Sequence, residues 1–196
     1  MKSLLITISF LFVFHSFNAQ KSLGERTMSV EELEKTMSSI KSNLSTFSID
    51  SLNFYFEKNL NEYRNSFRIG SVVYDKSILK VSNEQSSYCL KNGSLSHKQV
   101  SDSKKYVGDR CKFYGVECLE AYENLMMGNI VNLLILKYSD GMNFYDCLSN
   151  LILTGWKNGT VGHNSTLLEY YGQKFSLSVS TNSKNDMVAC FVMTSD

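Results

Sequence analysis

From Leu52 onward, apolar side chains return every three or four residues, at Leu52, Tyr55, Phe56, Leu60, Tyr63 and Phe67. That spacing predicts an amphipathic helix, with Asp50 ahead of it as cap and Gly70 at its end. A second helix is expected after Asp75, carrying Ile78, Leu79, Ser82, Ser86, Cys89 and Leu90 on one face and stopping at Asn92-Gly93. A short third spans Ser103 to Tyr114, and a fourth runs from Asn143 to Lys157 with Tyr145, Leu148, Ile152 and Trp156 aligned. The stretch from Ile130 to Tyr138 is apolar without clean alternation and reads equally as strand or helix. Near the end of the chain the period falls to two. Phe175, Leu177 and Val179 alternate with Ser176, Ser178 and Ser180, the pattern of a half-buried strand, and Asn182-Ser183-Lys184-Asn185 then turns into Met187 to Met193. Helices first and a hairpin last predict an α+β fold in which helices cover a small antiparallel sheet.

The start of the chain follows different rules. Met1-Lys2-Ser3, the apolar run Leu4 to Phe14 and the small residues up to Ala19 read as a signal peptide over residues 1–19, with the mature chain starting near Gln20. The run is shorter than the roughly 20 residues a spanning helix needs. No later segment reads as a membrane span, so the expected location is secreted or extracellular, or periplasmic in a Gram-negative source. Residues 20–50 are rich in Ser, Lys and Glu and form an N-terminal extension with one helical stretch, opened by a capping box of Ser29 and Glu32. Residues 51–196 form the domain.

Twenty basic residues against 19 acidic ones leave a net charge of +1, so there is no excess with which to track phosphates, and nucleic acid is not an expected partner. All five cysteines follow the signal segment, and export favours their oxidation. Their spacing matches no zinc finger. Cys111 and Cys118 are the nearest pair and the disulfide candidates, although cysteine also serves as a small buried hydrophobe.

An ordered set of short motifs runs through the domain. Leu60-Asn61-Glu62-Tyr63-Arg64 is followed by Ser77-Ile78-Leu79 and by Leu90 to His97, which ends in Ser96-His97. Arg110 and Gly115 come next, then Glu123-Asn124-Leu125, and finally Trp156 with Gly162-His163. In this order the pieces resemble the CAP superfamily, the SCP-like extracellular domain of the bacterial type: an "LNxxR" helix, a Ser-His pair, an "R…G" segment, a "GEN" signature and a "W…GH" segment. The resemblance covers roughly Leu52 to Met193 and implies an α-β-α sandwich. The chain departs from the pattern at Tyr122, which stands where the glycine of "GEN" is expected, and in a longer interval between Glu123 and Trp156.

The resemblance also implies a site. With His15 in the signal segment, His97 and His163 are the histidines of the mature chain, and both fall on family positions that line a cleft able to hold a divalent cation. Glu123 is the matched carboxylate. Asp146 is a spatial guess at the second acidic partner, which no residue matches. Two imidazoles and water make a weak, open zinc site, and a glutamate beside a histidine acts equally well by hydrogen-bonding the ring. Ser96 adjoins His97 in sequence without being placed to receive its help, and no nucleophile elbow or oxyanion motif is present. Trp156 reads as core. The function this implies is a secreted, non-enzymatic binding or interaction module, with a lipid or sterol or a protein as partner. A metal-assisted hydrolase using the same cleft, with Glu123 as general base, and a structural exported protein with a decayed cleft are the alternatives.

Overall fold

The computed structural model describes residues 28–135, 137–139, 141–159 and 162–196. The signal-peptide reading lies outside the described residues. The core of the fold is a four-stranded sheet in the order β1-β3-β4-β2, formed by β1 (Val73–Tyr74), β2 (Glu120–Asn129), β3 (Lys174–Thr181) and β4 (Asp186–Ser195). The hairpin pairs Phe175 with Met193 and Val179 with Ala189, antiparallel. β2 lines the other side of β4, also antiparallel, with Glu123 opposite Val192. The sheet is mixed rather than wholly antiparallel, because β1 joins β3 in parallel, Val73 N–H donating to the Gln173 carbonyl at 2.9 Å.

Central β4 explains the layers. Met187, Ala189, Phe191 and Met193 point to one face and Val188, Cys190 and Val192 to the other, and all seven are fully buried. A strand covered on both faces needs no polar positions, hence the unbroken apolar run. The first face carries α1 (Val30–Ser45), α2 (Ile49–Ser66), α5 (Ile130–Ile135), α6 (Phe144–Lys157) and α7 (His163–Leu167). Its centre is Phe56, packed edge-on to Trp156 at 6.1 Å and tilted against Phe175 and Phe191. The second face carries α3 (Leu79–Asn92) and α4 (Val107–Phe113). The result is an α-β-α sandwich.

Local signals mostly act where they stand. Ser29 and Glu32 form the reciprocal capping box of α1, and Asn143 caps α6 through the backbone N–H groups of Tyr145 and Asp146. The cap of α2 is Ser48 and not Asp50, whose carboxylate instead binds Lys76 and Tyr74. Asp75 likewise does not cap α3 but accepts from Ser77 N–H in the preceding turn. The helix expected over Ser103–Tyr114 divides into a 3-10 turn at Asp102–Lys104 and α4. Ile130 to Ile135 resolves as a helix, with buried residues at Ile130, Val131, Leu134 and Ile135. Ile40 of α1 is fully buried in the same core as α2 and α6, so the segment read as an extension contributes to the packing of the domain.

The serine face of β3 departs from expectation. Ser176 and Ser178 are buried, not solvated: Ser176 donates to Ser82 at 2.8 Å and Ser178 to Ser86 at 3.0 Å. Small hydroxyls on both elements let α3 approach β3 closely and satisfy one another without water, as buried polar groups require.

The motif Leu60-Asn61-Glu62-Tyr63-Arg64 ties α2 to the loops at its end. Asn61 both donates to and accepts from the backbone of Val72 at 2.8 Å. Arg64 is fully buried, and its guanidinium donates to the carbonyls of Gly70, Leu167, Glu169 and Gly172. Replacing it with leucine would leave several buried acceptors orphaned, at about 1–3 kcal/mol for each one that water cannot reach. Arg64→Leu is therefore expected to lower the unfolding free energy in urea by about 3 kcal/mol or more. A loss under about 1 kcal/mol, the scale of an ordinary surface substitution, would show that the carbonyls do not depend on it.

Candidate functional site

β2 is an edge strand, and successive side chains of a strand point to opposite faces. Glu123 therefore enters the layer of α3 and α4, while Asn124 enters that of α6 and α7. Each holds one of the two expected histidines.

On the α3 and α4 side the Glu123 side chain is 2% exposed. Its Oε1 lies 2.9 Å from Nδ1 of His97. Its Oε2 accepts from Nη2 of Arg110, and the Cys190 thiol lies at 3.7 Å. Arg110, itself fully buried, also donates from Nη1 to the Lys104 carbonyl at 3.2 Å, while its Nε has no partner. A buried carboxylate is tolerable when it is paired and hydrogen-bonded, and both of its oxygens are thus engaged.

The segment bearing His97 is held from below. Fully buried Gln85 of α3 donates to the Ser96 carbonyl and accepts from Gln99 at 2.9 Å. The Ser96 hydroxyl donates to the Lys98 carbonyl at 2.9 Å, so it is committed away from the imidazole. His97 itself is 57% exposed. An ionised carboxylate only accepts, so Nδ1 of neutral His97 carries the proton and Nε2 keeps a free lone pair.

On the other face, Asn124 Nδ2 donates to the His163 carbonyl at 2.8 Å. Tyr63 donates to Asn164 at 2.7 Å, and Arg64 holds the Leu167 carbonyl at the end of the same short helix. Burial first, and the charge of His97 second, push the His163 pKa below the ordinary imidazole value. Trp156 is core: it is 1% exposed, with its indole N–H on the Leu125 carbonyl at 3.2 Å.

Asp146 does not belong to this site. It lies in the first turn of α6 and accepts from Asn59 at 3.0 Å. Ten residues separate it from Trp156, about 15 Å along the helix. Among the described residues no group of three or more His, Cys, Asp or Glu is placed to hold a metal ion. A tight zinc site takes at least three protein ligands, so the residues fit at most an open site of two imidazoles. Cys111 and Cys118 are free thiols. Sequence reasoning gave Gln85 no role and Arg110 a place only in the "R…G" motif; a buried cation thirteen residues ahead of Glu123 carries no local signal of the carboxylate it meets.

Neither a family model nor a curated protein matches this sequence. Solved structures do. An outer surface protein from Borrelia burgdorferi is 14% identical with a TM-score of 0.57, over 74% of this chain and 92% of that one. An extracellular protein containing a SCP domain from Bacillus anthracis is 19% identical with a TM-score of 0.53, over 75% of this chain and 41% of that one. A cysteine-rich secretory protein from Staphylococcus aureus is 8% identical with a TM-score of 0.50, over 76% and 40%. The chain thus spans under half the length of the latter two. At these identities the likeness shows the fold, which is that of the CAP/SCP domain.

Two outcomes follow from the geometry at His163. Because its pKa is lowered by folding, the unfolded chain takes up the proton first as pH falls. Stability present above the ordinary imidazole value of about 6.5 is then lost as pH drops toward the folded value. The melting temperature of His163→Gln is expected to fall less steeply than that of the parent between about pH 7 and pH 5; parallel curves would refute the assignment. A Cβ built on Gly159 would lie 2.8 Å from Nδ1 of His163 and 3.1 Å from the Gly155 carbonyl. Gly159→Ala should therefore displace the His163 ring, moving its imidazole NMR resonances while those of His97 stay in place.

Proposed function

We propose that this chain is an exported CAP-type binding module, without enzymatic activity, that engages a protein or lipid partner at the cleft between His97 and His163. The observation that carries this reading is the full engagement of Glu123. With one oxygen on His97 and the other on Arg110, its carboxylate is buried and committed to orienting an imidazole. Ser96, the neighbouring hydroxyl, is bonded elsewhere. What the cleft offers is a fixed lone pair on His97 Nε2 and a second imidazole kept neutral by burial. These recognise donors and soft cations and do not build a nucleophile. Export is supported by the apolar N-terminal run and by the outer-surface and extracellular descriptions of the structural neighbours. Among the described residues no helix is long and apolar enough to cross a membrane.

Zinc is the simplest probe of the cleft, and the expected binding is weak. Titration calorimetry should show it lost in His97→Ala and in His163→Ala, and weakened about ten- to a hundredfold in Glu123→Gln, where the ring loses its orienting carboxylate. Binding should disappear as pH falls and the imidazoles protonate, since only the neutral ring ligates. Equal affinity in the parent and in the double histidine variant would overturn the proposal.

A further inference from the structure

Helix α4 ends in a reversal that places two of the five cysteines together. Gly115 takes the left-handed conformation, φ 71°, which costs a glycine little. Gly115 N–H then returns to the Lys112 carbonyl at 3.2 Å and Val116 N–H to that of Cys111 at 2.9 Å, the paired bonds of a Schellman turn. Val116 packs with Cys111 in the second core, and the chain doubling back packs Cys118 against the same buried cluster. Of the five cysteines, Cys89, Cys111, Cys147 and Cys190 are buried, and Cys118 is partly exposed. A reagent from solvent therefore meets Cys118 first, with Cys111 behind it.

We infer that Cys111 and Cys118 are an oxidation site, closing to an intramolecular disulfide when the protein meets a disulfide donor. In the first step the Cys118 thiolate attacks one sulfur of the donor and displaces a thiolate, leaving a mixed disulfide. The Cys111 sulfur, having lost its proton to solvent, then attacks Cys118 and displaces the donor's second thiolate. The protein gives up two protons and two electrons, and the donor leaves as two thiols. Burial, with Cys118 as the next cause, holds the Cys111 thiol up at about 12, which makes it the resolving and not the initiating group. The bridge would pin the end of α4 to the approach of β2. Arg110 precedes Cys111 directly, and Glu123 follows Cys118 by five residues, so the bond would tie together the two segments whose ion pair orients His97.

The probe is oxidised glutathione, added to the folded full chain, followed by trapping of free thiols and tryptic digestion. Cleavage after Arg110 and Lys112 leaves the dipeptide Cys111-Lys112 and the peptide 113–137. The expected product is these two joined, about 2 Da below the sum of their masses. The melting temperature should rise by about 5–10 °C on closing so short a loop, and Cys118→Ser should show neither change. A glutathione adduct that remains on Cys118, or a cross-link joining any other pair, overturns the inference. So does a joined product with no rise in melting temperature, since the bridge would then impose nothing on the fold. None of these outcomes bears on zinc binding, which separates this test from that of the cleft.

Discussion

A carboxylate 2% exposed must be neutralised where it stands, and the neutralisation of Glu123 by Arg110 is the interaction on which the site depends. Such a pair is a poor source of stability, because desolvating two charges offsets most of what their attraction returns. Here the stranded Nε of Arg110 adds to that cost. What the pair supplies is geometry. A Glu123 carboxylate can only accept, and the proton of neutral His97 is therefore confined to Nδ1. The guanidinium, carried on α4, is held by the Lys104 carbonyl at the end of the 3-10 turn on one side and by Glu123 on the other.

The second constraint is the pleat of β2. Adjacent residues cannot point the same way in a strand, so a Glu-Asn dipeptide on an edge strand serves both layers of the sandwich at once. Glu123 fixes a ring from one layer, and Asn124 fixes a backbone carbonyl from the other. The two histidines are 66 positions apart in the chain, but each is one hydrogen bond from the same pair of residues. This gives Asn124, which carries no titratable group, a share in the site equal to that of its acidic neighbour.

Local signals in the sequence were legible where they act over three or four residues: the capping box at Ser29, the period of the helix from Asn143 to Lys157, and the hairpin through Asn182 to Asn185. Signals depending on what lies opposite were not. The alternation of Ser176 and Ser178 with Phe175 and Leu177 reads as a wet face, yet Ser82 and Ser86 on α3 make it dry. β2 went unread because its polar residues, Glu123 and Asn124, fall on both faces and are satisfied by groups from distant parts of the chain. The expectation that His97 and His163 share a site came only from the order of motifs that resemble CAP domains, since no spacing rule links residues 97 and 163. That same order could not supply a second carboxylate, and Asp146, a spatial guess, lies at the opposite end of α6 from Trp156.

Arg64 and Arg110 show why motif residues of one type need separate physical readings. Both are fully buried cations. Arg64 spends its donors on main-chain carbonyls of two loops, meets no carboxylate in a direct bond among the described residues, and acts as a clamp between α2, the end of α7 and the start of β3. Arg110 meets a carboxylate and passes its effect on to an imidazole. Arg64 therefore reaches the cleft only through the backbone that carries His163, whereas Arg110 reaches it through charge. A lysine could keep the charge at residue 110 but not the two-pronged geometry, and at residue 64 it would lose the fork that spans several carbonyls. The fold thus places one arginine behind each histidine: Arg64 holds the backbone that carries His163, and Arg110 holds the carboxylate that meets the His97 ring.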